Sequence, residues 1–303
     1  MVSATSRPRS HEDAAIVVNE SLRESIRRHR REQLAFFQDV QRELKRVRPG
    51  AKCKHGRSAS ERSLFVRRDA DPHLGALIAR FEACLPEYAV KRIEIWLGGP
   101  QATPRHNDAA LYVQSGRAVV LQFWVLLEAC LLADPTADAP NDKNALECLV
   151  PCAPGIVFPG MSTVLTPREG HVEYRPHGVV GGDDMAIGDM LVFKNGVIHE
   201  AHGSDRVFRA AFAFRAFLKR YDDPEDIDFM LWVREAVRRD PNGDRERDPS
   251  PVGRQASNPY FLAAEKAWRK LPERPCDPAR LYKIDRNDHA GLRRRLAEFD
   301  FSY

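Results

Sequence analysis

His106 and Asp108 stand two residues apart near the middle of the chain, and both side chains are good ligands for a transition metal. On an extended backbone, residues i and i+2 point to the same face, so this imidazole and this carboxylate would converge on one point. With a second, distant histidine they would form a two-His, one-carboxylate triad, which leaves half of an octahedron open, as non-haem Fe(II) oxygenases require. The spacing alone is a weak signal, because His11 and Asp13 repeat it in the charged N-terminal segment.

The third ligand is sought downstream, where an apolar strand over 188–193 is followed by a turn and then by two histidines, His199 and His202. We favour His199, because it directly continues the apolar segment 197–198, whereas His202 precedes Gly203 and Ser204 and fits a turn. His171 and Glu173 repeat the spacing of the first half-site, but no suitably spaced histidine follows them. A histidine in a β core is also commonly a hydrogen-bonded filler, which is the alternative for His199.

Two arginines in a later strand predict an anion site. In the strand over 207–218, Arg209 and Arg215 share a face with two alanines between them, while Phe212 and Phe214 take the other face. Guanidinium groups pointing into a barrel are costly unless they bind an anion, and the alanines leave space for a small dicarboxylate held in bidentate fashion. The alternative is an edge strand whose arginines are solvated.

The elements that position these residues alternate with period two from Arg92 to Leu218, with turn residues between them. Many short strands with no intervening helices predict a sandwich or barrel. The predicted strands are 91–97, 109–113, 117–128, 146–151, 155–158, 171–175, 189–193, 196–200 and 207–218.

Helical patterns flank this β region on both sides. A capping box, Ser21 to Glu24, predicts a helix over 21–47, and Asp71 followed by Pro72 predicts the start of a second helix that ends before Pro86. Residues 1–18 are expected to be loosely held, and 51–62 to form a polar loop. Predicted C-terminal helices span 224–239, 259–271 and 289–299. The expected organisation is an N-terminal helical extension (1–90), a β core (91–220) and a C-terminal helical region (221–303), packed as one compact domain.

The distribution of charged, apolar and cysteine residues limits which partners and which cellular location are expected. The 303 residues carry a net charge of +4, but residues 1–62 hold +7 and the remainder −3, so the basic character belongs to the first helix region. This region could meet an anionic partner, or it could be a solvated helix face. No apolar run approaches the roughly 20 residues of a membrane span, and the N-terminus lacks a signal-peptide pattern, so a cytoplasmic protein is expected. The six cysteines form no CxxC pair and are expected to remain thiols.

Taken together, these motifs resemble the Fe(II)/2-oxoglutarate-dependent dioxygenases, and among them the phytanoyl-CoA dioxygenase-like branch. The order His106-x-Asp108, His199 and then Arg209 matches the superfamily. Segments 121–128 and 144–151 resemble the branch's "NGCL…PGSH" region, and 188–193 with 198–199 resembles its "GD…F…LH" region. The resemblance covers about residues 90–218. It implies a mainly β fold with flanking helices around a double-stranded β-helix, the jelly-roll or cupin-like core.

The resemblance also implies roles for individual residues. His106, Asp108 and His199 would be the iron ligands and the catalytic centre, and Arg209 would bind the distal carboxylate of 2-oxoglutarate. Gln122 and Trp124 share one face of their strand and would line the pocket, with plain core packing as the alternative for Trp124. The residues expected to bind the co-substrate are Arg209, Arg215, Gln122 and Tyr112, and Trp124 is expected to meet the substrate.

The implied reaction uses Fe(II), O2 and 2-oxoglutarate, which is decarboxylated to succinate while a C–H bond of a small-molecule metabolite, such as one of secondary metabolism, is oxidised. Asp108 stands where related halogenases carry a small residue, so hydroxylation is favoured. The alternatives are an AlkB-like nucleic-acid demethylase on the same fold and a non-enzymatic cupin-type metal-binding module. Nucleic acid is not expected as a partner, because the body is net acidic and the basic stretch lacks interleaved aromatic residues. Substrate selection is expected from the cationic loop 51–70 and the region after Tyr221.

Overall fold

The computed structural model describes residues 14–48, 50–60, 62–98, 103–106, 120–138, 146–151, 176–194, 197, 199–218 and 289–303. The predicted strands 109–113, 155–158 and 171–175 and the predicted helices 224–239 and 259–271 lie outside these residues. Within them no helix is long and apolar enough to cross a membrane. The helices are α1 (Glu20–Leu44), α2 (Pro72–Cys84) and α3 (His289–Glu298). The strands are β1 (Ala14–Val17), β2 (Gly56–Ala59), β3 (Ser63–Val66), β4 (Tyr88–Leu97), β5 (Thr103–His106), β6 (Val120–Leu131), β7 (Leu146–Pro151), β8 (Pro176–Gly181), β9 (Met190–Lys194), β10 (His199–Ala201) and β11 (Val207–Leu218).

The strands form two antiparallel sheets. The major sheet has the order β1-β9-β6-β11-β4-β3-β2, and the minor sheet has the order β5-β10-β7-β8. From β4 onward the chain passes between the sheets: β4, β6, β9 and β11 lie in the major sheet, and β5, β7, β8 and β10 lie in the minor one. This exchange is the topology of a jelly roll. The predicted double-stranded β-helix with flanking helices is therefore confirmed.

Two hydrophobic clusters lie on opposite faces of the major sheet. The outer core joins this sheet to the three helices, and the inter-sheet core fills the space between the sheets. Strand β11 shows the division, because Phe212 and Phe214 belong to the outer core while Ala211 and Ala213 belong to the inter-sheet core. The rings of Phe214 and Phe81 of α2 have centroids 4.4 Å apart. The alternation predicted for this strand is confirmed.

The N-terminal predictions were partly wrong. Residues 14–17 are not loosely held, because they form β1, which pairs with β9 along the edge of the major sheet. The first helix begins one residue before Ser21, and its cap is Asn19, whose side chain accepts a hydrogen bond from the Leu22 amide at 2.9 Å. Ser21 lies inside the helix instead of capping it. The start of the second helix was predicted correctly, with Asp71 as the cap and Pro72 in the first turn.

The segment predicted as a polar loop is a hairpin. Strands β2 and β3 pair with each other, and β3 continues the major sheet beyond β4. Two cations of the wider segment 51–70 contact acids of this chain: Lys54 Nζ lies 2.5 Å from Asp39 Oδ2, and Arg68 Nη2 lies 2.5 Å from Glu82 Oε1. These contacts indicate that the positive charge of this segment pairs with acids of the fold instead of serving an anionic substrate.

Helix α1 is anchored to the β core by two of its arginines. Arg23 donates to the buried Asp189 carboxylate at 2.9 and 2.6 Å, and Arg30 forms a bidentate pair with the buried Glu128 at 2.9 and 2.8 Å. The helix approaches the sheet so closely that a Cβ on Gly188 would meet Arg23 atoms at 2.6 Å, and the φ of Gly188 is +91°. Part of the basic patterning of α1 therefore serves docking, because a buried carboxylate needs a cationic partner.

The C-terminal segment lies along α1, where two serines four residues apart accept hydrogen bonds from its main chain. Ser21 accepts from the Phe301 amide at 2.8 Å, and Ser25 accepts from the Tyr303 amide at 3.0 Å. Leu292 and Leu296 of α3 and Phe301 after it are buried in the outer core. Removing everything after Tyr221 would therefore expose part of this core, so substitutions are the better test of that region.

Replacing Asn19 with alanine should destabilise the protein by about 2–4 kcal/mol. The change removes a helix cap, about 1 kcal/mol, and also a donor to the main-chain oxygens of Leu296, Ala297 and Phe299 at 2.7 to 3.1 Å. Urea unfolding would measure the loss. The matched control is Asp71→Ala, which removes a cap bonded to Leu74 at 3.0 Å and should cost about 1 kcal/mol. Equal losses in the two variants would contradict the role of Asn19 in docking the C-terminal segment.

Candidate functional site

The register of the minor sheet brings two of the predicted metal ligands together. Strands β10 and β5 are antiparallel neighbours, and His199 is the direct cross-strand partner of His106. Directly opposed residues of an antiparallel pair have Cβ atoms about 4.5–5.5 Å apart. Asp108 and Tyr112 lie outside the described residues. The two histidines are 93 positions apart in the sequence, and the pairing of β5 with β10 makes them neighbours.

His199 is buried and its ring is oriented. The side chain is 4% exposed, and its Nδ1 lies 3.0 Å from the main-chain oxygen of Val197. A carbonyl oxygen only accepts, so Nδ1 carries the proton and Nε2 keeps its lone pair, the atom that binds a metal. The ring also contacts Phe193 of the inter-sheet core, with centroids 5.0 Å apart. A main-chain acceptor that fixes the tautomer is the usual second partner of a metal-binding histidine.

The competing histidine has a different environment. The His202 side chain is 57% exposed, and its Nε2 lies 3.1 Å from Oε2 of Glu147. Glu147 and Glu200 are cross-strand partners, so His202 is associated with a carboxylate pair at the edge of the minor sheet. His171 and Glu173 lie outside the described residues. Burial and ring orientation therefore favour His199 over His202 as the distal ligand.

Arg209 is a buried cation whose hydrogen-bond donors are not all paired with described residues. It is 5% exposed, its guanidinium carbon lies 5.4 Å from the centre of the Trp124 ring, and its Nε and Nη1 have no hydrogen-bond partner among the described residues. Burial lowers the pKa of Arg209 to about 9, and the nearby charge of Arg62 acts in the same direction. Unpaired donors on a buried charge are costly, so this position fits an anion.

Arg215 differs from Arg209 because it has an acidic partner. Its Nη1 donates to Oε2 of Glu94 at 3.1 Å, and both side chains are buried. The Trp96 indole donates to the same carboxylate oxygen at 3.1 Å. Glu94 was not among the predicted site residues, although its position two before Trp96 in the alternating strand β4 was a signal that it faces inward. A neutralised Arg215 is the weaker candidate for an incoming anion.

Gln122 and Trp124 lie beside these arginines on β6. Gln122 is the cross-strand partner of Arg215, and Trp124 is the partner of Ala213. Both are 4% exposed, and the Gln122 Nε2 has no hydrogen-bond partner among the described residues. Trp124 belongs to the inter-sheet core together with Phe193, which contacts His199. The Arg209 and His199 positions therefore border the same core.

The residues present fit an iron ion with a carboxylate-bearing co-substrate. An oriented imidazole that bears its proton on Nδ1, opposite a second histidine position, suits Fe(II). The N–H groups of Arg209 and Gln122 that have no partner among the described residues suit the oxygens of a carboxylate. Nearby, Ala211 and Ala213 present small side chains to the inter-sheet core. The fit therefore rests on buried donor atoms of this chain.

Known proteins were compared at the levels of sequence and structure. No family description and no curated protein matches the sequence. AviO1 from Streptomyces viridochromogenes Tue57 has a TM-score of 0.41 and 15% identity over 70% of this chain and 92% of its own. The non-haem alpha ketoglutarate dependent epimerase SnoN from nogalamycin biosynthesis has a TM-score of 0.41 and 16% identity over 69% and 78%. EctD from S. alaskensis has a TM-score of 0.40 and 15% identity over 70% and 76%.

Among these neighbours, SnoN is described as alpha ketoglutarate dependent, and a further one, from Burkholderia pseudomallei, as an oxidoreductase of the 2OG-Fe(II) oxygenase family. At these identities and TM-scores the likeness carries no argument about the reaction or the substrate of this chain.

Proposed function

We propose that this chain is a non-haem Fe(II)/2-oxoglutarate-dependent dioxygenase that oxidises a C–H bond of a small-molecule metabolite. The observation that carries the proposal is Arg209, a guanidinium that is 5% exposed, with two nitrogens lacking partners among the described residues. It lies on β11, which borders the inter-sheet core, and that core also contacts the buried His199. A buried cation and a pair of histidine positions on the same core would suit this chemistry, which needs a carboxylate-bearing co-substrate near a metal.

His106, Asp108 and His199 would hold the iron. When bound, the metal supplies the oxidation of a substrate C–H bond, with 2-oxoglutarate and O2 as co-substrates and succinate as one product. The role of His199 is to present Nε2 in one orientation, because its Nδ1–H is held by the Val197 carbonyl at 3.0 Å. Asp108 would supply the carboxylate of this two-His, one-carboxylate ligand set.

The co-substrate would be held through its distal carboxylate. Arg209 offers Nε–H and Nη1–H on different edges of its guanidinium, and either could donate a charge-assisted hydrogen bond to a carboxylate. Gln122 supplies a further buried N–H2 group, and Tyr112 is the predicted hydroxyl partner. Arg215 is paired with Glu94, so it is not expected to be the primary contact of the co-substrate.

The substrate would enter between the sheets, where the wall is apolar. Trp124 and Phe193 are 4% and 3% exposed and exclude water from the Arg209 and His199 positions. A dry site strengthens the charge pairing on which co-substrate binding depends. Asp108 as a full third ligand favours hydroxylation over halogenation, because a halide needs the vacant ligand position.

The nucleic-acid alternative gains no support from the described residues. The second arginine of the pair that suggested it, Arg215, is occupied by Glu94 at 3.1 Å. Arg23 and Arg30 of the basic helix are bound to buried carboxylates of the β core. Cations already paired with acids have little left to offer phosphates.

Succinate formation tests the proposal. The purified chain, supplied with Fe(II), O2 and 2-oxoglutarate, should release succinate faster in the presence of some members of a metabolite library, with a product 16 mass units heavier. The matched inactive control is Asp108→Ala. Absence of 2-oxoglutarate binding, or succinate release that is unaffected by Asp108→Ala, would contradict the proposed activity.

A further inference from the structure

A second group of metal-ligand side chains lies outside the β core, where α1, α2 and the last residue meet. His29 and Glu32 are on α1 at a spacing of three, which puts both on one side of the helix. His73 is in the first turn of α2, directly after Pro72. The side chains of His29 and His73 are 22% and 21% exposed, and Glu32 is 68% exposed, so the group borders solvent.

The three ligand atoms converge at the spacing of a coordination sphere. Oε2 of Glu32 lies 3.2 Å from Nδ1 of His29 and 3.0 Å from Nε2 of His73, and all three atoms lie within 4.8 Å of one another. Ligands about 2.0–2.1 Å from a tetrahedral zinc ion are separated by about 3.3 Å, which is close to the two shorter distances. Small side-chain rotations would complete the match.

The acceptor atoms around His29 are arranged in a way that a cation would stabilise. Nε2 of His29 lies 3.0 Å from the main-chain oxygen of Tyr303, which can only accept, so Nε2 carries the proton in the neutral ring. Nδ1 then holds a lone pair and faces the Glu32 carboxylate, another acceptor, at 3.2 Å. Two acceptors facing each other repel unless a proton or a metal ion lies between them.

The surroundings orient the ligands as a metal site requires. The Tyr303 main-chain oxygen holds the far nitrogen of His29, the second contact typical of metal-binding histidines. The Tyr303 ring stacks on His29 with centroids 5.8 Å apart and lies 5.6 Å from His73, and its hydroxyl accepts from Gln33 at 2.5 Å. The two imidazole rings are themselves 4.2 Å apart.

We propose that His29, Glu32 and His73 form a divalent-metal site of the Zn²⁺ type, separate from the proposed iron centre. Two imidazole nitrogens and one carboxylate oxygen suit zinc, and water from the open side completes four ligands. The site joins α1 to α2 and, through Tyr303, secures the C-terminal segment on α1. Its role is structural, because its ligands lie at the solvent-facing side of the helices and outside the β core.

Zinc binding by the full chain, freed of metal with a chelator, tests this site. Calorimetric titration with Zn²⁺ should show a binding event in the wild type that is weakened at least about 100-fold in Glu32→Gln and in His73→Ala. Zn²⁺ should also raise the Tm of the wild type and not that of these two variants. Repeating the titration in His199→Ala separates this event from any binding at the interior site.

The matched control is His55→Ala, because His55 also contacts a carboxylate of α1, Asp39, at 2.7 Å, without a third ligand. This variant should bind Zn²⁺ like the wild type. Glu32→Gln preserves shape, so it keeps the test meaningful if His73→Ala folds poorly. Equal Zn²⁺ binding in the wild type and Glu32→Gln would overturn the proposal. Absence of Zn²⁺ binding, with a pH-dependent Tm that both variants lose, would overturn it in favour of a protonated His29 paired with Glu32.

Discussion

His199→Ala should abolish Fe(II) binding and succinate formation while the protein remains folded. The change removes the Nε2 ligand whose orientation is set by the Val197 oxygen at 3.0 Å. Loss of a partner that only orients a ligand already weakens metal binding about 10–100-fold, so loss of the ligand itself should cost more. The variant leaves one buried carbonyl unpaired, about 1–3 kcal/mol, which a domain of ordinary stability tolerates. Iron stoichiometry and far-UV circular dichroism measure the two effects separately.

The control for this result is His202→Ala. The His202 side chain is 57% exposed and pairs with Glu147, so its removal should leave iron binding unchanged. Full iron stoichiometry in His199→Ala, together with loss in His202→Ala, would reverse the assignment of the distal ligand.

Arg209→Ala should raise the 2-oxoglutarate requirement steeply. Truncating one partner of a desolvated charge pair costs about 2–5 kcal/mol, and each 1.4 kcal/mol is about tenfold in affinity, so the dissociation constant should rise between about 30-fold and several thousand-fold. The same change removes from the co-substrate-free protein a buried cation with two nitrogens that have no partner in the described part of the chain. The free energy of unfolding without 2-oxoglutarate should therefore fall little or even rise. Calorimetric titration and urea unfolding measure the two quantities.

Arg215→Ala offers the contrasting control, because Arg215 neutralises the buried Glu94 at 3.1 Å. Its removal leaves an uncompensated buried charge and should destabilise the protein by about 3–5 kcal/mol. Its effect should appear mainly in stability, whereas that of Arg209→Ala should appear in co-substrate affinity. Unchanged 2-oxoglutarate affinity in Arg209→Ala, with the loss in a folded Arg215 variant, would transfer the role to Arg215.

Local patterns were sufficient to predict much of the fold. The strands predicted at 146–151 and 207–218 have those bounds in the structure, and the cap of α2 at Asp71 was predicted correctly. The sandwich-or-barrel class followed from period-two segments separated by turn residues, and the resemblance to the dioxygenases implied the jelly roll. These features depend on neighbours in sequence: alternation divides a strand between two faces, and a cap bonds to an amide three residues away.

The sequence also named the residues of the candidate site, and their assignment as ligands and co-substrate contacts remains a prediction. Their types and order, with histidines at 106 and 199 and an arginine at 209, suggested iron and a dicarboxylate. What the sequence left open was which of several similar residues is buried. His199 and His202 are three residues apart, and Arg209 and Arg215 share a strand face, so local pattern cannot separate them.

Only the tertiary structure decided these choices, because the deciding partners are distant in sequence. Glu94 lies 121 positions before Arg215 and neutralises it, whereas two nitrogens of Arg209 have no hydrogen-bond partner among the described residues. Asn19 displaces the predicted Ser21 cap because its side chain also bonds to main-chain oxygens 277 to 280 positions away. Residues 14–17 become a strand only because the edge of β9 is available to pair with them. The energy of each of these contacts depends on burial and on a partner that the fold supplies, and neither property is present in the local sequence.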